Sequence, residues 1–168
     1  MEPEKHPYLL KSIQFIEDIG ITVIEKELDD STFLPGLMLG AGVIYVDYNK
    51  LKYPGDLLHE AGHIAVASPE ERQLIGTSGI ADTWPTQGDE MAAILWSFAA
   101  VNHLGLSLEF VFHVNGYKDS SIWFIDNFSK GNYMGLPLLQ WFKMAYSNEE
   151  ISKGKPPFPA MQHWVRQE

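Results

Sequence analysis

The pattern of apolar and polar residues in the N-terminal third of the chain predicts one helix followed by three short strands. Apolar residues recur at helical spacing over residues 8–19. The β-branched run at 21–24 predicts a strand. Two further strands are predicted at 33–39 and 43–47, joined by the tight turn Gly40-Ala41-Gly42. These elements predict a small antiparallel sheet.

The pattern beyond residue 50 is mainly helical. One helix is predicted to open near Pro54 and to stop at Ser68-Pro69, and a polar connector with little regular structure follows over 70–85. Thr86 and Asp89 resemble a capping box, which predicts the start of a helix that runs to residue 103. Shorter helical segments are predicted at 107–113, 120–128, 136–146 and 161–165. The whole chain is therefore expected to be one α+β domain, with the sheet beside the second helix and residues 106–168 as a helical extension.

The pentapeptide His59-Glu60-Ala61-Gly62-His63 lies in the second predicted helix and carries the most specific chemistry of the chain. Positions i and i+4 share one helix face, so both imidazoles can reach the same metal ion. Glu60 lies about 100° around the helix from His59, close enough to touch a metal-bound water but poorly placed as a third ligand. This His-Glu-x-x-His spacing is the pattern of zinc hydrolases, because it supplies two ligands and a general base within one turn.

Apolar residues flank this motif on nearly every side, at 57–58 and at 64–67. The helix is therefore expected to be buried all round. Buried His and Glu side chains need partners, because an isolated buried charge is strongly unfavourable. One metal ion would satisfy all three side chains, whereas the alternative is an ordinary helix that happens to carry two histidines.

A catalytic zinc ion usually has three protein ligands, and Glu90 is the candidate for the third. It lies in the first turn of a predicted helix that is otherwise apolar, so its carboxylate needs a strong partner. Two alternatives remain open at this point. Glu90 can instead serve only the helix N-terminus electrostatically, and the neighbouring Asp89 can be the ligand.

Composition narrows the class of protein and the type of site. The chain has 168 residues, 45% of them hydrophobic, and a formal net charge of −10, which disfavours a nucleic-acid partner. It contains no cysteine, so a zinc site must use His and carboxylate ligands. The longest apolar run, 91–101, is too short to span a bilayer, and the first residues do not resemble a signal peptide. We therefore expect a cytoplasmic protein without a membrane partner.

Other residues are candidates for supporting roles. His113, Tyr117 and Tyr133 are candidates to stabilise a tetrahedral oxyanion, and the sequence does not choose among them. The aromatic pairs Trp123-Phe124 and Trp141-Phe142 are expected in the core, with a surface for a protein partner in the C-terminal third or an apolar substrate pocket as the alternatives.

Several motifs resemble those of the ImmA/IrrE-type metallopeptidases over roughly residues 10–103. Members of that group have a helix that ends in a Gly-Ile-x-Val strand, as in Ile19-Gly20-Ile21-Thr22-Val23, and a hairpin strand like Ile44-Tyr45-Val46-Asp47. The motif Leu57-Leu58-His59-Glu60-Ala61-Gly62-His63 follows, and then a segment similar to Glu90-Met91-Ala92-Ala93. The resemblance implies a zincin-like fold, Glu90 as the third zinc ligand and a role in regulatory proteolysis.

These observations predict a zinc-dependent hydrolase, with a peptide or protein as its substrate. One Zn²⁺ ion would be held by His59, His63 and Glu90, and Glu60 would act as general base toward the attacking water. The main alternative is a metal-binding regulatory or interaction module without turnover. A side chain from 106–168 that closes the fourth coordination position would favour that module, whereas an open position in a cleft would favour catalysis. A hydrolase of small amides is a third possibility.

Overall fold

The computed structural model describes residues 6–168, and it combines seven α-helices with one three-stranded sheet in that range. This confirms the α+β class. The helices and strands are, in chain order, α1 (Pro7–Asp18), β1 (Thr22–Glu25), β2 (Leu37–Gly40), β3 (Val43–Val46), α2 (Asp56–Val66), α3 (Pro69–Leu74), α4 (Gln87–Leu104), α5 (Ser121–Ser129), α6 (Leu136–Trp141) and α7 (Asn148–Ser152).

The sheet is mixed, so the prediction of an antiparallel sheet was wrong in part. Strands β2 and β3 form the predicted antiparallel hairpin, but β1 pairs with β3 in parallel, in the order β1-β3-β2. The long connection 26–36 leaves room for β3 between β1 and β2. Strand β2 therefore runs opposite to β1, and the hairpin returns β3 in the same direction as β1. Because β3 is central, Ile44 and Val46 are fully buried.

Two element boundaries differ from the expectation because of backbone chemistry. Strand β2 begins at Leu37 rather than at 33, because Pro35 has no N–H to donate and Gly36 turns with a φ of 76°. Helix α2 begins at Asp56 rather than at Pro54, and it is preceded by Gly55, where any Cβ atom would collide with the Phe110 carbonyl.

The centre of the domain is the contact between α2 and α4. Helix α2 is almost entirely buried, as expected from its apolar flanks, and α4 is buried over its middle part, Ala92–Val101. Gly62 is the residue of α2 that makes their close approach possible, because a Cβ atom there would lie 2.8 Å from the Ala93 carbonyl oxygen and 3.1 Å from Cε3 of Trp96. Gly62 is next to His63, and Ala93 lies one turn after Glu90, so this contact sets the separation of the candidate ligands.

Gly62→Ala is expected to destabilise the fold by about 1–2 kcal/mol, because overpacking at a tight helix contact outweighs the gain in helix propensity. Gly88→Ala in α4 is the matched control. A Cβ atom at Gly88 meets only ordinary contacts, at 3.7 Å from Thr86 Oγ1 and 3.8 Å from Leu138 Cδ1. We expect that variant to be unchanged or more stable by up to about 1 kcal/mol. Urea unfolding midpoints measure both changes, and equal stability of the two variants would contradict the steric argument.

The C-terminal end of α2 is held by two arginines, one of which belongs to the final segment of the chain. Arg72 Nε donates to the Ile64 carbonyl at 3.1 Å, and its Nη2 donates to the carbonyls of Ala67 and Arg166 at 2.8 and 2.9 Å. The Arg166 backbone N–H donates to the Ala65 carbonyl at 2.9 Å. These contacts satisfy helix carbonyls that would otherwise lack partners, and they attach the chain end to the motif helix.

Two short helices occur where none was predicted. Helix α3 begins at Pro69 and extends into the segment 70–85, which was expected to hold little regular structure, and α7 follows residue 147. Each begins with a capping box, formed by Ser68 with Glu71 and by Ser147 with Glu150. The Ser-x-x-Glu spacing was the sequence signal that could have identified both helices.

Three other segments of the extension were predicted as helices and are shorter or absent. Only a single 3₁₀ turn, Leu108–Phe110, forms within 107–113, because an isolated short helix gains too few hydrogen bonds to persist. Helix α6 ends at Trp141, shortly before Lys143 adopts a φ of 56°. Residues 161–165 are not helical and run in irregular conformation toward the end of α2.

The two aromatic pairs are only half in the core. Phe124 and Phe142 pack against the core, whereas Trp123 is 48% exposed and Trp141 is 80% exposed. The expectation of core placement was therefore wrong for the two tryptophans, and their alternative role at a partner surface stays a prediction. Within residues 6–168, no helix is long and apolar enough to cross a membrane.

Candidate metal centre

Helices α2 and α4 bring the three predicted ligands together. His59 and His63 lie one turn apart on the face of α2 that turns toward α4, and Glu90 lies in the first turn of α4. Both histidines are buried, whereas the Glu90 side chain is 41% exposed. These three residues form the one group of His or acidic side chains in the described part of the chain whose ligand atoms are close enough to share a metal ion.

The three side chains meet through the atoms that would bind a metal. The two Nε2 atoms of His59 and His63 are 3.2 Å apart. Glu90 Oε1 lies 3.2 Å from His59 Nε2, and its Oε2 lies 2.8 Å from His63 Nε2. Both Nδ1 atoms are buried and, among the described residues, have no hydrogen-bond partner.

This donor set fits a zinc ion. Two ligands at about 2.05 Å from a tetrahedral ion are about 3.3 Å apart, which is close to the two separations of 3.2 Å in this group. A histidine binds metal as a neutral imidazole, so the two Nε2 atoms would be ligands while Nδ1 keeps the proton. Two imidazoles and one carboxylate are also the ligand set of catalytic rather than structural zinc sites.

Asp89, the alternative to Glu90, is engaged elsewhere. Its Oδ2 accepts hydrogen bonds from the Thr86 N–H at 2.8 Å and from the Thr86 hydroxyl at 2.9 Å. The Asp89 N–H in turn donates to Thr86 Oγ1 at 3.1 Å, which completes the capping box. The neighbouring acidic residues therefore divide two tasks, since Asp89 closes the helix N-terminus while Glu90 faces the histidines.

Glu60 lies next to the two histidines without joining their ligand group. Its side chain lines the same cavity as His59, His63 and Glu90. Burial raises the pKa of the Glu60 carboxyl, and the nearby histidines oppose that rise. Glu60 therefore lies beside the ligand group but outside it, as the offset of about 100° along α2 predicts.

The pKa values of Glu90 and His59 depend on the hydrogen bonds between the three side chains. Burial disfavours the ionised form of Glu90, but hydrogen bonds from His59 and His63 outweigh burial and hold the Glu90 pKa well below its usual range. Burial lowers the pKa of His59, but its hydrogen bond to Glu90 and the nearby carboxylates outweigh burial and raise that pKa. Glu90 is therefore an anion, and it favours a cation at the position where its two oxygens and the Nε2 atoms meet.

Asp56 and His113 form a hydrogen-bonded pair one helical turn before His59. Asp56 is three residues before His59 on α2, and its Oδ1 lies 2.6 Å from His113 Nε2. The His113 ring stacks on Tyr53 at a centroid distance of 4.2 Å. Burial raises the pKa of Asp56, while the hydrogen bond and charge of His113 act in the opposite direction.

The structure separates the three candidates for oxyanion stabilisation. His113 and Tyr117 both line a cavity together with His59 and Glu90. The Tyr117 ring packs edge-on against His59 at 5.3 Å, and its hydroxyl is buried. Burial raises the Tyr117 pKa well above its usual value, so the hydroxyl stays protonated. Tyr133 packs instead against Phe98 and Phe158 in the core and lines neither cavity at the ligand group.

Two cavities meet at the ligand group. The larger one has a volume of about 750 Å³ and contains Glu60 and both histidines in its lining. The smaller one has a volume of about 300 Å³ and contains the Asp56–His113 pair. Five residues line both cavities: His59, Glu90, Phe33, Leu34 and Lys118. Volumes of this size are within the usual range of small-molecule pockets, and together they form a cleft across the candidate centre.

A strained turn borders this cleft. Tyr117, Lys118 and Asp119 have φ values of 57°, 50° and 67°, so three consecutive residues other than glycine are left-handed. Each such residue costs roughly 1–2 kcal/mol relative to an ordinary backbone conformation. Strain of this kind persists only where the surrounding structure enforces it, and it is most common at functional sites.

Two residues of the cleft, Asp56 and Lys118, were not predicted from the sequence as site residues. Asp56 could have been found, because it precedes His59 by three residues and therefore shares its helix face. Lys118 has no such signal, because only the folding of the extension over α2 brings it to the cleft.

Comparison with known protein families, with curated proteins and with solved structures found no match for this chain.

Proposed function

We propose that this protein is a zinc-dependent hydrolase of peptide bonds. The observation that carries the proposal is the convergence of His59, His63 and Glu90 on one point at the edge of a cleft, with Glu60 in the same cavity. Within the described residues, no fourth His, Cys or acidic side chain joins the group. An open fourth position supports catalysis, because a structural zinc site is normally closed by a protein ligand.

His59, His63 and Glu90 would hold the ion, and the other residues of the cleft would manage protons and position the substrate. When bound, zinc would polarise the scissile carbonyl and lower the pKa of a coordinated water toward about 7. Glu60 accepts the proton of the attacking water and delivers it to the leaving amine nitrogen. Its partly buried position supports this role, because desolvation raises the pKa of the carboxylate and makes it a better proton acceptor near neutral pH.

The Asp56–His113 pair lines the cavity beside the ligand group and can position the substrate there. The Asp56 carboxylate accepts a hydrogen bond from His113 Nε2–H and holds the imidazole in one orientation, while Nδ1 is buried. His113 shares the smaller cavity with His59 and Glu90, so a substrate carbonyl bound there lies on the same side of the ligand group. Tyr117 contributes by packing against the His59 ring.

The proposal also includes a zincin-like fold and a family for the protein. A small sheet beside a buried His-Glu-x-x-His helix, followed by a helix that supplies a Glu ligand, supports a zincin-like fold. The order of these elements also supports membership of the ImmA/IrrE-type metallopeptidases. An extended peptide suits the larger cavity, because Leu37, Met38 and Leu39 of the sheet-edge strand β2 line it.

The experiment that tests this function is a cleavage assay on a pool of synthetic peptides. Protein stripped with a chelator should cleave nothing, and one equivalent of zinc should restore cleavage that mass spectrometry detects as new termini. Stoichiometric zinc binding without cleavage of any peptide would favour the non-catalytic module. Hydrolysis of small amides without peptide cleavage would assign a different substrate class.

A further inference from the structure

We propose that Lys118 binds a carboxylate group of the substrate next to the metal centre. This inference rests on the proposed hydrolase function and deepens it by naming a substrate class. It follows from the position of one cation, from the charge around it and from the backbone that holds it.

Lys118 is the cation at the junction of the two cavities. It is the lysine that lines both of them, together with the ligands His59 and Glu90. Lys26 lines only the larger cavity, and its ammonium is positioned over the Tyr45 ring at 4.8 Å. In the part of the chain that the structure describes, Lys118 forms no ion pair, whereas Lys50, Lys130, Lys143 and Lys153 each do. Lys118 is also exposed, so its ammonium can reach a ligand bound in the cleft.

The acidic residues around Lys118 restrict where a carboxylate group can bind in the cleft. The protein has a formal net charge of −10, and Asp56, Glu60 and Glu90 all line the cleft. An anionic substrate is repelled by such a surface, so its binding requires a local positive charge near the point where the anion settles. Lys118 supplies that charge at the boundary of the smaller cavity, where Asp56 is already paired with His113.

The backbone at Lys118 is held in an unfavourable conformation that positions this side chain. Lys118 is the middle residue of the left-handed turn Tyr117–Asp119, and Tyr117 is anchored against His59 and Phe112. Glycine would adopt this backbone without strain, so a lysine at the centre of the turn is the less favourable choice for folding. Its presence is explained if the ammonium is needed at the cleft.

The carboxylate has two possible sources, which are the C-terminus of the substrate and an acidic side chain near the scissile bond. Four peptides separate them: acetyl-Leu-Leu-Leu as free acid and as C-terminal amide, and acetyl-Leu-Glu-Leu-amide beside acetyl-Leu-Gln-Leu-amide. Their dissociation constants are measured by calorimetry on the zinc-loaded Glu60→Gln protein, which is designed not to turn over. We expect the carboxylate-bearing member of at least one pair to bind about fivefold more tightly, which is the scale of a partly exposed ion pair. A preference in the first pair identifies a terminal carboxylate, and one in the second pair identifies an acidic side chain.

Lys118 variants in the same background decide whether this preference belongs to Lys118. Lys118→Ala should abolish it, and Lys118→Gly should abolish it while relieving the backbone, so a failure to fold does not confuse the result. Lys118→Arg should keep the preference, and Lys26→Ala, which removes the same charge from the larger cavity alone, should also keep it. The proposal is overturned if no pair shows a preference, including the case in which no peptide binds, or if the preference survives in both Lys118→Ala and Lys118→Gly. Failure of the hydrolase proposal is distinguishable, because it appears as absent cleavage by the zinc-loaded protein that retains Glu60.

Discussion

Glu60→Gln is expected to bind one zinc ion as the unchanged protein does and to lose peptide hydrolysis by roughly 10²–10⁴-fold. The physical reason is that glutamine preserves the size and position of the side chain but cannot accept a proton. Glu60 lies outside the ligand group, so the metal should remain. The measurement pairs zinc analysis by atomic absorption with kcat/KM for a peptide identified in the cleavage assay.

The matched control for this variant is Glu71→Gln. Glu71 closes the capping box of α3 with Ser68 and does not line either cavity at the ligand group, so activity should stay within about twofold of the unchanged protein. Hydrolysis by Glu60→Gln at the rate of the unchanged protein would remove Glu60 from the mechanism. Loss of zinc from Glu60→Gln would instead indicate that Glu60 supports the ligand group.

Glu90→Ala is expected to weaken zinc binding by about a hundredfold or more and to abolish activity at stoichiometric zinc. The binding free energy of a four-ligand zinc site is about 10–16 kcal/mol, so one ligand contributes about 3 kcal/mol. Removal of Glu90 also leaves His59 and His63 with their Nε2 atoms 3.2 Å apart and without the anion that joins them. Competition with a chromophoric chelator measures the affinity directly.

Asp89→Ala is the control that separates ligand from helix cap. Its carboxylate bonds to Thr86 rather than to the histidines, so zinc affinity should be unchanged while the free energy of unfolding falls by about 1 kcal/mol. His59→Ala should behave like Glu90→Ala in the zinc measurement. Full zinc occupancy in Glu90→Ala together with loss of zinc in Asp89→Ala would exchange the roles of the two acidic residues.

The candidate ligands were predictable from sequence to different degrees. His59 and His63 lie on one helix face, because local helix geometry fixes the separation of positions i and i+4. Glu90 was a weaker prediction, because it depended on the mismatch between a carboxylate and an apolar helix start. The structure brings Glu90 within 3.2 Å of both histidines, whereas nothing in the sequence excluded Asp89 beforehand.

The supporting residues were less predictable because they depend on distant parts of the chain. Asp56 and His113 are 57 residues apart in sequence, and they meet because the extension folds back over the start of α2. The same folding places Lys118 at the cleft and leaves Tyr133 in the core. The direction of β1 relative to β3 also depended on a long connection, which the strand pattern does not determine.

The sequence by itself determined the helices that hold the candidate ligands, the apolar burial of α2 and the pairing of β2 with β3. These features depend on residues that are close in the chain, where spacing and turn chemistry fix the geometry. Only the tertiary structure decided that Glu90 rather than Asp89 faces the histidines, that His113 pairs with Asp56 and that Lys118 borders the cleft. Those outcomes depend on how closely α2 and α4 approach at Gly62 and on where the extension packs, and both are set by the shape of the whole core rather than by any local pattern.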